Sequence, residues 1–253
     1  MQDRVLLISD LHLEEQRQDI TEAFTQFLEV NRGKCSALYI LGDLFETWIG
    51  DDAASLLATT VADSLREFYT GGSSVYLMHG NRDFLIGESY AAQCGISLVQ
   101  EHYSLEVQNL EILLLHGDSL CTDDVDYQQF RTMVRDNKWQ TEFLKKPIEE
   151  RVAYASAARK QSREAAKTKS TEIMDVNQTA VKALFNSTQH KYIIHGHTHR
   201  PAVHDVSLKQ NGSTETTGKR IVLGDWDKEI WFIEIRNGKI DLRTLPFPEQ
   251  PLR

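Results

Sequence analysis

The sequence predicts an α/β fold in which short buried strands alternate with amphipathic helices. Five short apolar runs are bounded by glycine and polar residues, which is typical of strands buried on both faces. Segments with apolar residues at helical spacing lie between the first runs. Because crossover connections bring the carboxyl ends of strands to one edge of a sheet, we expect the residues that follow these runs to lie close together.

The predicted elements follow one another along the first 200 residues. The runs, each written with the polar residues that end it, are VLLISDLH (5–12), ALYILGDLF (37–45), SVYLMHGNRD (74–83), LEILLLHGD (110–118) and KYIIHGHTHR (191–200). Helical spacing is clearest in DITEAFTQFLEV (19–30) and DAASLLATTVADSLREFY (52–69). This alternation of strands and helices is the reason for expecting a layered α/β core.

Four further strand-like segments follow residue 200. They are AVHDVSL (202–208), KRIVLGDW (219–226), EIWFIEIR (229–236) and KIDLRTL (239–245). The turn signals NGST (211–214) and RNGK (236–239) separate the first pair and the last pair. We expect all four strands to complete a second sheet, and we expect the last eight residues to form a terminal tail.

Composition excludes several classes of protein. The chain has 253 residues, 41% of them hydrophobic, which suits a globular protein with a substantial core. Its net charge of -9 argues against nucleic acid as a partner. Three cysteines without CxxC spacing indicate neither a disulfide framework nor a thiolate zinc site, so we expect a cytoplasmic protein. The N-terminal apolar run is too short for a membrane span, so we expect any membrane contact to be peripheral.

The polar residues that end the five runs predict a metal centre. Each motif alone is compatible with an ordinary turn or cap. Turn chemistry does not call for histidine, however, and histidine is the commonest metal ligand in proteins. The candidate ligands are Asp10, His12, Asp43, Asn81, His116, His197 and His199. We expect His195, in the same cluster, to hold the loop rather than to bind metal.

The candidate ligands indicate two ions and an anionic substrate. Mixed oxygen and imidazole ligands suit manganese, iron or zinc better than calcium. Seven side chains exceed the needs of one ion with an open position, whereas two ions that share a carboxylate fit the number. Such a pair attracts anions and can activate water for an in-line displacement at phosphorus. The sequence therefore predicts phosphoester hydrolysis.

The motifs DxH, GD, GNRD, HGD and GHTH resemble those of the calcineurin-like metallophosphoesterases. The resemblance implies one domain over residues 1–253, built as a four-layer α/β/β/α sandwich with a helical insertion at about 122–186. It also implies two Mn²⁺ ions bridged by Asp43. The implied ligands of the first ion are Asp10, His12, Asp43 and His199. Those of the second ion are Asp43, Asn81, His116 and His197.

Two motifs indicate a branch of this family. Arg82 stands where phosphoprotein phosphatases have a histidine; arginine grips phosphate oxygens but does not donate a proton near neutrality, which suits a phosphate leaving group. GDLFETWIGDD (42–52) resembles the branch that hydrolyses UDP-2,3-diacylglucosamine to UMP and lipid X in lipid A biosynthesis. The resemblance implies water attack at the phosphorus next to uridine. The implied catalytic residues are Asp43, Asn81, Arg82 and His197. The implied substrate contacts are Asn81, Arg82, Asp124, Ser162, Lys169 and His197, with Ala166 at a position that is commonly asparagine.

The segment 122–186 is rich in helix formers and predicts a helical lid. It contains a basic cluster that is either a solvated helix face or a contact with an anionic surface or the substrate diphosphate. The cluster consists of Arg159, Lys160, Arg163, Lys167 and Lys169. With the resemblance, it predicts peripheral attachment to the cytoplasmic face of the bacterial inner membrane. The aromatic residues that either line an acyl pocket or belong to the core are Trp48, Tyr127, Trp139 and Phe143.

Two alternatives remain at the level of sequence. The first is a soluble nucleotide pyrophosphatase or phosphodiesterase of the same superfamily, which the helical insertion disfavours. The second is a scaffold that kept the fold and lost catalysis, which the presence of all seven candidate ligands disfavours. No feature of the sequence calls for an obligate protein partner.

Overall fold

The computed structural model describes residues 4–169, 173–209 and 215–248. The strands, in chain order, are β1 (Arg4–Ile8), β2 (Ala37–Ile40), β3 (Ser74–Met78), β4 (Ile96–Val99), β5 (Tyr103–Val107), β6 (Leu110–Leu114), β7 (Tyr192–His195), β8 (Ala202–Lys209), β9 (Glu215–Val222), β10 (Glu229–Arg236) and β11 (Lys239–Pro246). The helices are α1 (Gln18–Asn31), α2 (Leu56–Thr70), α3 (Glu88–Cys94), α4 (Val125–Val134), α5 (Asn137–Leu144), α6 (Ile148–Thr168) and α7 (Gln178–Thr188). The predicted α/β class is confirmed.

Two mixed sheets face each other. The first has the order β11-β10-β1-β2-β3-β4, with β1 to β4 parallel, and the second has the order β5-β6-β7-β9-β8, with β6, β7 and β9 parallel. Alternate residues of β1 point to opposite faces: Leu6 and Ile8 pack toward α1 and α2, whereas Val5 and Leu7 pack between the sheets. Helix α7 covers the outer face of the second sheet through Val181 and Phe185. The layers are therefore helix, sheet, sheet and helix.

The positions of β10 and β11 contradict the prediction that all four C-terminal strands complete the second sheet. Only β8 and β9 do so, while β10 pairs antiparallel with β1 and carries β11 to the edge of the first sheet. The reason is that β10 is apolar on both faces. Phe232 packs in the helix-side core and Ile233 in the core between the sheets. Strand β1 lies between the helix-side core and the core between the sheets, so a strand that pairs with its free edge buries both of its own faces.

Turn chemistry fixes the last hairpin. Asn237 and Gly238 both have positive φ, of 53° and 70°, as a two-residue hairpin loop requires. The predicted RNGK turn is therefore confirmed. The NGST signal lies at 211–214, outside the described residues.

Helices α4, α5 and α6 form the insertion, and α6 is anchored to the core by a buried arginine. The guanidinium of Arg151 donates to the backbone oxygen of Ile49 at 2.7 Å and pairs with the carboxylate of Asp52. The rings of Trp139 and Phe143 stack with centroids 4.8 Å apart, and Phe143 is buried in the helix-side core. In the described part of the chain, no helix has the length and apolar character needed to cross a membrane.

Candidate metal centre

The seven predicted ligands converge where the two sheets meet at the carboxyl ends of their parallel strands. Asp10 and His12 follow β1, Asp43 follows β2, and Asn81 follows β3. The second sheet contributes His116 after β6 and a histidine pair after β7, His197 and His199. This is the edge at which open α/β sheets bind ligands. The expected meeting of the five motifs is therefore observed.

The backbone of the centre adopts an uncommon conformation. Five of the seven candidate ligands have φ in the left-handed region, where few residues other than glycine occur. They are Asp10 (56°), His12 (50°), Asp43 (53°), His197 (65°) and His199 (54°). Left-handed backbone of this kind is concentrated at functional sites, where the surrounding structure holds it. The side chains are therefore aimed by their loops as well as by packing.

Two glycines of the motifs allow the carboxylates to lie against the backbone. A Cβ on Gly80 would lie 2.1 Å from Oδ1 of Asp43, and a Cβ on Gly196 would lie 2.1 Å from Oδ2 of Asp10. Neither approach is sterically possible for another residue without moving the carboxylate. The glycines of GNRD and GHTH are thus required by the position of the neighbouring aspartates, not by flexibility.

The first group of ligand atoms surrounds a point between the β1 and β7 loops. Nε2 of His12 lies 3.2 Å from Nε2 of His199, and Nε2 of His199 lies 3.5 Å from Oδ1 of Asp10. Oδ2 of Asp43 lies 3.8 Å from Nε2 of His12. Among the described residues, ligand atoms of Asp10, His12 and His199 all lie within 4.8 Å of one another. This is the set that the resemblance implies for the first ion.

The second group lies on the other side of Asp43. Its Oδ1 lies 3.7 Å from Nε2 of His116, which in turn lies 3.0 Å from Oδ1 of Asn81. Nδ1 of His197 lies 2.9 Å from the same amide oxygen. The two carboxylate oxygens of Asp43 therefore face different groups, the arrangement that a bridging ligand needs.

Buried or partly buried groups hold the histidine rings from behind. Nδ1 of His12 lies 3.0 Å from Oε2 of Glu46, and Nδ1 of His199 lies 3.2 Å from Oδ2 of Asp225. Nδ1 of His116 instead meets the backbone oxygen of Leu41 at 2.8 Å. Partners of this kind fix which ring nitrogen faces a metal.

Glu46 and Asp225 are absent from the predicted site. A signal for Asp225 was present, because IVLGD (221–225) is a sixth apolar run that ends in Gly-Asp. Glu46 follows the GD motif by three residues and had no signal of its own.

The charges around the centre give its histidines different pKa values. Burial opposes protonation of His199, but Asp10 and Asp225 outweigh it and raise its pKa to about 10. Burial and the neighbouring His116 lower the pKa of His197 to about 4. Burial alone would raise the pKa of Asp10, but contact with His199 brings this pKa below its usual range. In the metal-free protein, His197 is thus ready to bind an ion, whereas His199 holds a proton that an ion must displace.

The residues fit a dinuclear metal centre. Asp10 and Asp43 are almost completely buried and face imidazole nitrogens across distances that cations would occupy. Nε of Arg82 is also buried without a hydrogen-bond partner among the described residues, and it lies 3.9 Å from Oδ2 of Asp43. A buried guanidinium nitrogen without a partner beside such a centre is suited to an anion.

Comparison with known proteins assigns the family. Residues 3–201 match the sequence profile described as calcineurin-like phosphoesterase. The chain belongs to this family. A protein of Tolumonas auensis named UDP-2,3-diacylglucosamine hydrolase is 44% identical over 241 residues, which cover 95% of this chain and 96% of the relative. One of Hahella chejuensis with the same name is 45% identical over 227 residues, covering 90% and 91%. The solved nuclease MPE of Pseudomonas putida gives a TM-score of 0.42 at 16% identity, covering 94% of this chain and 87% of that chain.

His195, the remaining histidine of the GHTH loop of this calcineurin-like phosphoesterase, lies behind the centre. It is fully buried, its Nδ1 lies 2.8 Å from the backbone oxygen of Gly196, and Arg220 donates to its Nε2 at 3.0 Å. Burial and the adjacent guanidinium lower the pKa of His195 to about 3. The ring is therefore neutral near pH 7 and bonded to protein groups through both nitrogens, which is consistent with a role in holding the loop.

The aspartate of the HGD motif connects the centre to the insertion. Asp118 is fully buried and accepts hydrogen bonds from the hydroxyl of Tyr127 at 2.6 Å and from Nε of Arg131 at 2.9 Å. Arg131 also pairs with Glu101. The ring of Tyr127 stacks against that of His197, with centroids 6.0 Å apart. Helix α4 is thereby held against the second group of ligands.

The predicted substrate contacts of the insertion occupy different environments. Nζ of Lys169 lies 2.5 Å from Oδ1 of Asp124, which also caps α4. Ser162 lies exposed on α6. Ala166 lies on the same helix, but its side chain is outside the described residues. The contacts of these four positions with substrate stay predictions.

The basic cluster does not form one exposed face. Arg159 turns toward the core and pairs with Glu46, and Lys169 pairs with Asp124. Lys167 pairs with Glu164 on the same helix, and Lys160 and Arg163 are exposed.

The four aromatic residues suggested for an acyl pocket also lie in different environments. Trp48 and Phe143 are core residues, Trp139 packs against that core, and Tyr127 faces the metal centre.

Proposed function

We propose that this protein hydrolyses UDP-2,3-diacylglucosamine to UMP and 2,3-diacylglucosamine 1-phosphate, or lipid X, in lipid A biosynthesis. The observation that carries the proposal is sequence identity to two proteins named UDP-2,3-diacylglucosamine hydrolase. The identity is 44% over 95% of the chain for one and 45% over 90% of the chain for the other. The site offers what that reaction needs: two groups of candidate ligands, a buried carboxylate between them, and a guanidinium nitrogen without a hydrogen-bond partner among the described residues.

The metal-binding part of the proposal is a pair of Mn²⁺ ions. Asp10, His12, Asp43 and His199 would hold the first, and Asp43, Asn81, His116 and His197 the second. When bound, such a pair polarises a phosphoryl oxygen and activates water near neutral pH. The mixed oxygen and nitrogen ligands suit manganese but do not exclude iron or zinc, whose availability also affects occupancy.

Arg82 and Asn81 would hold the diphosphate. The backbone N–H of Arg82 donates to Oδ1 of Asp43 at 2.8 Å, which ties this loop to the bridging carboxylate. Its guanidinium is only partly exposed, and its Nε, 3.9 Å from Oδ2 of Asp43, has no hydrogen-bond partner among the described residues. A lipid phosphate leaves as a stable anion and needs charge neutralisation more than a proton, which suits arginine at this position. We propose attack by water at the phosphorus next to uridine, with His197 near the phosphate.

The insertion would receive the lipid half of the substrate. Half of the exposed large apolar side chains among the described residues lie on α4, α5 and α6, namely Val125, Met133, Leu144, Ile148, Val152 and Tyr154. Exposed apolar groups next to exposed basic residues suit an anionic lipid surface. We therefore propose that the protein works in the cytoplasm, attached peripherally to the cytoplasmic face of the bacterial inner membrane.

Sedimentation with vesicles tests the attachment. Lys160, Arg163 and Lys167 are changed together to glutamine, because the less exposed Arg159 and Lys169 pair with Glu46 and Asp124. Each basic residue near an anionic surface contributes about 1 kcal/mol, so binding to vesicles with phosphatidylglycerol should fall more than tenfold. The matched control changes Lys228, Arg236 and Lys239, which are exposed away from the insertion. Equal binding of both triple variants would contradict the proposed surface.

A substrate comparison tests the reaction and its main alternative. Purified protein with Mn²⁺ is offered UDP-2,3-diacylglucosamine, UDP-N-acetylglucosamine and bis-p-nitrophenyl phosphate, and UMP or nitrophenol is measured. We expect kcat/KM for the acylated substrate to exceed the others by at least 100-fold, because only that substrate can use the insertion. Comparable values would support the soluble pyrophosphatase or phosphodiesterase.

A further inference from the structure

Glu46 lies between a predicted metal ligand and the insertion. It follows β2, three residues after Asp43, and its two carboxylate oxygens face different elements. Oε2 lies 3.0 Å from Nδ1 of His12, and Oε1 pairs with the guanidinium of Arg159 in α6. The side chains of His12, Glu46 and Arg159 are 18%, 26% and 16% exposed, respectively, so water screens these contacts only partly. One carboxylate thus connects the first group of ligand atoms to the insertion.

The contact with His12 bears on how the ring is presented. A carboxylate behind Nδ1 favours the tautomer with its proton on that nitrogen, which leaves the Nε2 lone pair for an ion. Nε2 is the atom that lies 3.2 Å from Nε2 of His199. The His12–Glu46 distance is that of an ion pair, although the angle at Nδ1 falls outside hydrogen-bond geometry. A small rotation of the carboxylate or the ring would complete the bond.

In the described part of the chain, the contact with Arg159 is one of two ion pairs that tie α6 to the core. The other, between Arg151 and Asp52, lies eight residues earlier on the helix. Asp52 belongs to the short helical turn Asp51–Ala53 before α2, and among the described residues its carboxylate pairs with Arg151 and not with a candidate ligand. The two anchors therefore differ in one respect: only the Glu46 anchor also touches a candidate ligand.

We propose that Glu46 is a positioning residue that couples ion binding at the first ligand group to the seating of α6. The proposal rests on the metal centre of the proposed function. With an ion held through its Nε2, His12 would have a fixed ring, and its Nδ1–H would be a stronger donor to Glu46. The carboxylate is then held in the orientation that receives Arg159. Coupling of this kind is reciprocal, so seating of α6 also tightens ion binding.

Mn²⁺ alone is the probe, with two readouts that need no substrate. Its affinity is measured by titration calorimetry, and protection of residues 148–168 is measured by hydrogen exchange with and without Mn²⁺. In the unchanged protein, Mn²⁺ should slow exchange in α6. In Glu46→Gln, affinity of the tighter or weaker step should fall 10- to 100-fold, the usual effect of losing a partner behind a metal-binding histidine. Exchange in α6 should then respond to Mn²⁺ much less.

Three further variants separate coupling from general loosening. Asp52→Asn removes the other anchor at the start of α6, so the first turns of the helix should exchange faster, while Mn²⁺ affinity stays within twofold because the Glu46–Arg159 contact remains. Asp225→Asn removes the carboxylate behind His199, so Mn²⁺ affinity should fall while exchange of α6 without Mn²⁺ stays unchanged. Arg159→Gln should weaken Mn²⁺ binding several-fold, although it contacts no ligand itself. Arg159→Gln also serves as the second test if Glu46→Gln does not fold.

Two results would overturn the proposal. One is Mn²⁺ affinity in Glu46→Gln and Arg159→Gln equal to that of the unchanged protein. The other is exchange in α6 that does not respond to Mn²⁺ in the unchanged protein. Failure of the proposed reaction would be a different finding, because Mn²⁺ binding and exchange are measured without UDP-2,3-diacylglucosamine.

Discussion

Replacing Asp118 by asparagine should destabilise the protein strongly. The carboxylate is fully buried and accepts from Tyr127 at 2.6 Å and Arg131 at 2.9 Å. Removing one member of a buried ion pair commonly costs about 3–5 kcal/mol. Asparagine retains one oxygen acceptor and Arg131 retains Glu101 as a partner, so we take the lower end and expect a loss of about 3 kcal/mol in the free energy of unfolding.

The assay is urea denaturation of the metal-free protein, analysed by linear extrapolation. Glu101→Gln is the matched control, because Glu101 is 24% exposed and shares the same arginine; it should cost about 1 kcal/mol or less. A loss for Asp118→Asn no larger than that of the control would refute the claim that Asp118 anchors α4 to the metal centre.

The pH dependence of this loss has a defined sign. Burial would raise the pKa of Asp118, but His116, His197 and Arg131 outweigh it and bring the pKa below the usual value near 4. A depressed carboxylate pKa stabilises the fold above the unfolded value and loses that effect as pH falls toward the folded value. The difference between Asp118→Asn and the unchanged protein should therefore be complete at pH 7 and shrink below about pH 4.

Two substitutions and one binding measurement test the centre further. Arg82→His should lower kcat on the diphosphate substrate about 100-fold, because the planar fork is lost from a charge that stabilises the transition state; an unchanged kcat would contradict this role. Gly80→Ala places a Cβ 2.1 Å from Oδ1 of Asp43, so mass spectrometry of metal content should show that bound Mn²⁺ is lost, and full occupancy would argue against the bridging position. Because the pKa of His199 is raised to about 10, Mn²⁺ binding at pH 7 should release about one proton, and affinity should rise up to about tenfold per pH unit. Calorimetry in buffers of different ionisation enthalpy measures the released proton. No proton release would mean that the ion does not displace the proton of His199.

The convergence of the candidate ligands was predictable because each is a histidine, aspartate or asparagine at the end of an apolar run. Strand periodicity locates such residues without knowledge of long-range contacts, and parallel topology brings them together. Asp225 carries the same signal and could have been predicted. The separation of His195 from the candidate ligands stays a prediction, and its burial against Arg220 could not be read from the sequence.

Other features depend on contacts that local sequence does not encode. Arg131 meets Asp118 and Glu101 only because α4 packs across the β6 loop, and that orientation has no local signal. The sequence predicted the basic cluster to be a solvated helix face or an anion-binding surface, yet Arg159 and Lys169 pair with the carboxylates of Glu46 and Asp124, 113 and 45 residues earlier in the chain. Strand β10 was recognised as a strand, but its pairing with β1 depends on which sheet edge offers two apolar surfaces.

The position of bond cleavage tests the central claim most directly. Purified protein and Mn²⁺ are incubated with UDP-2,3-diacylglucosamine in water enriched in oxygen-18, and both products are weighed by mass spectrometry. Attack at the phosphorus next to uridine predicts one heavy oxygen in UMP and none in 2,3-diacylglucosamine 1-phosphate. A heavy oxygen in the lipid phosphate, or no cleavage by protein that holds its Mn²⁺, would contradict the account.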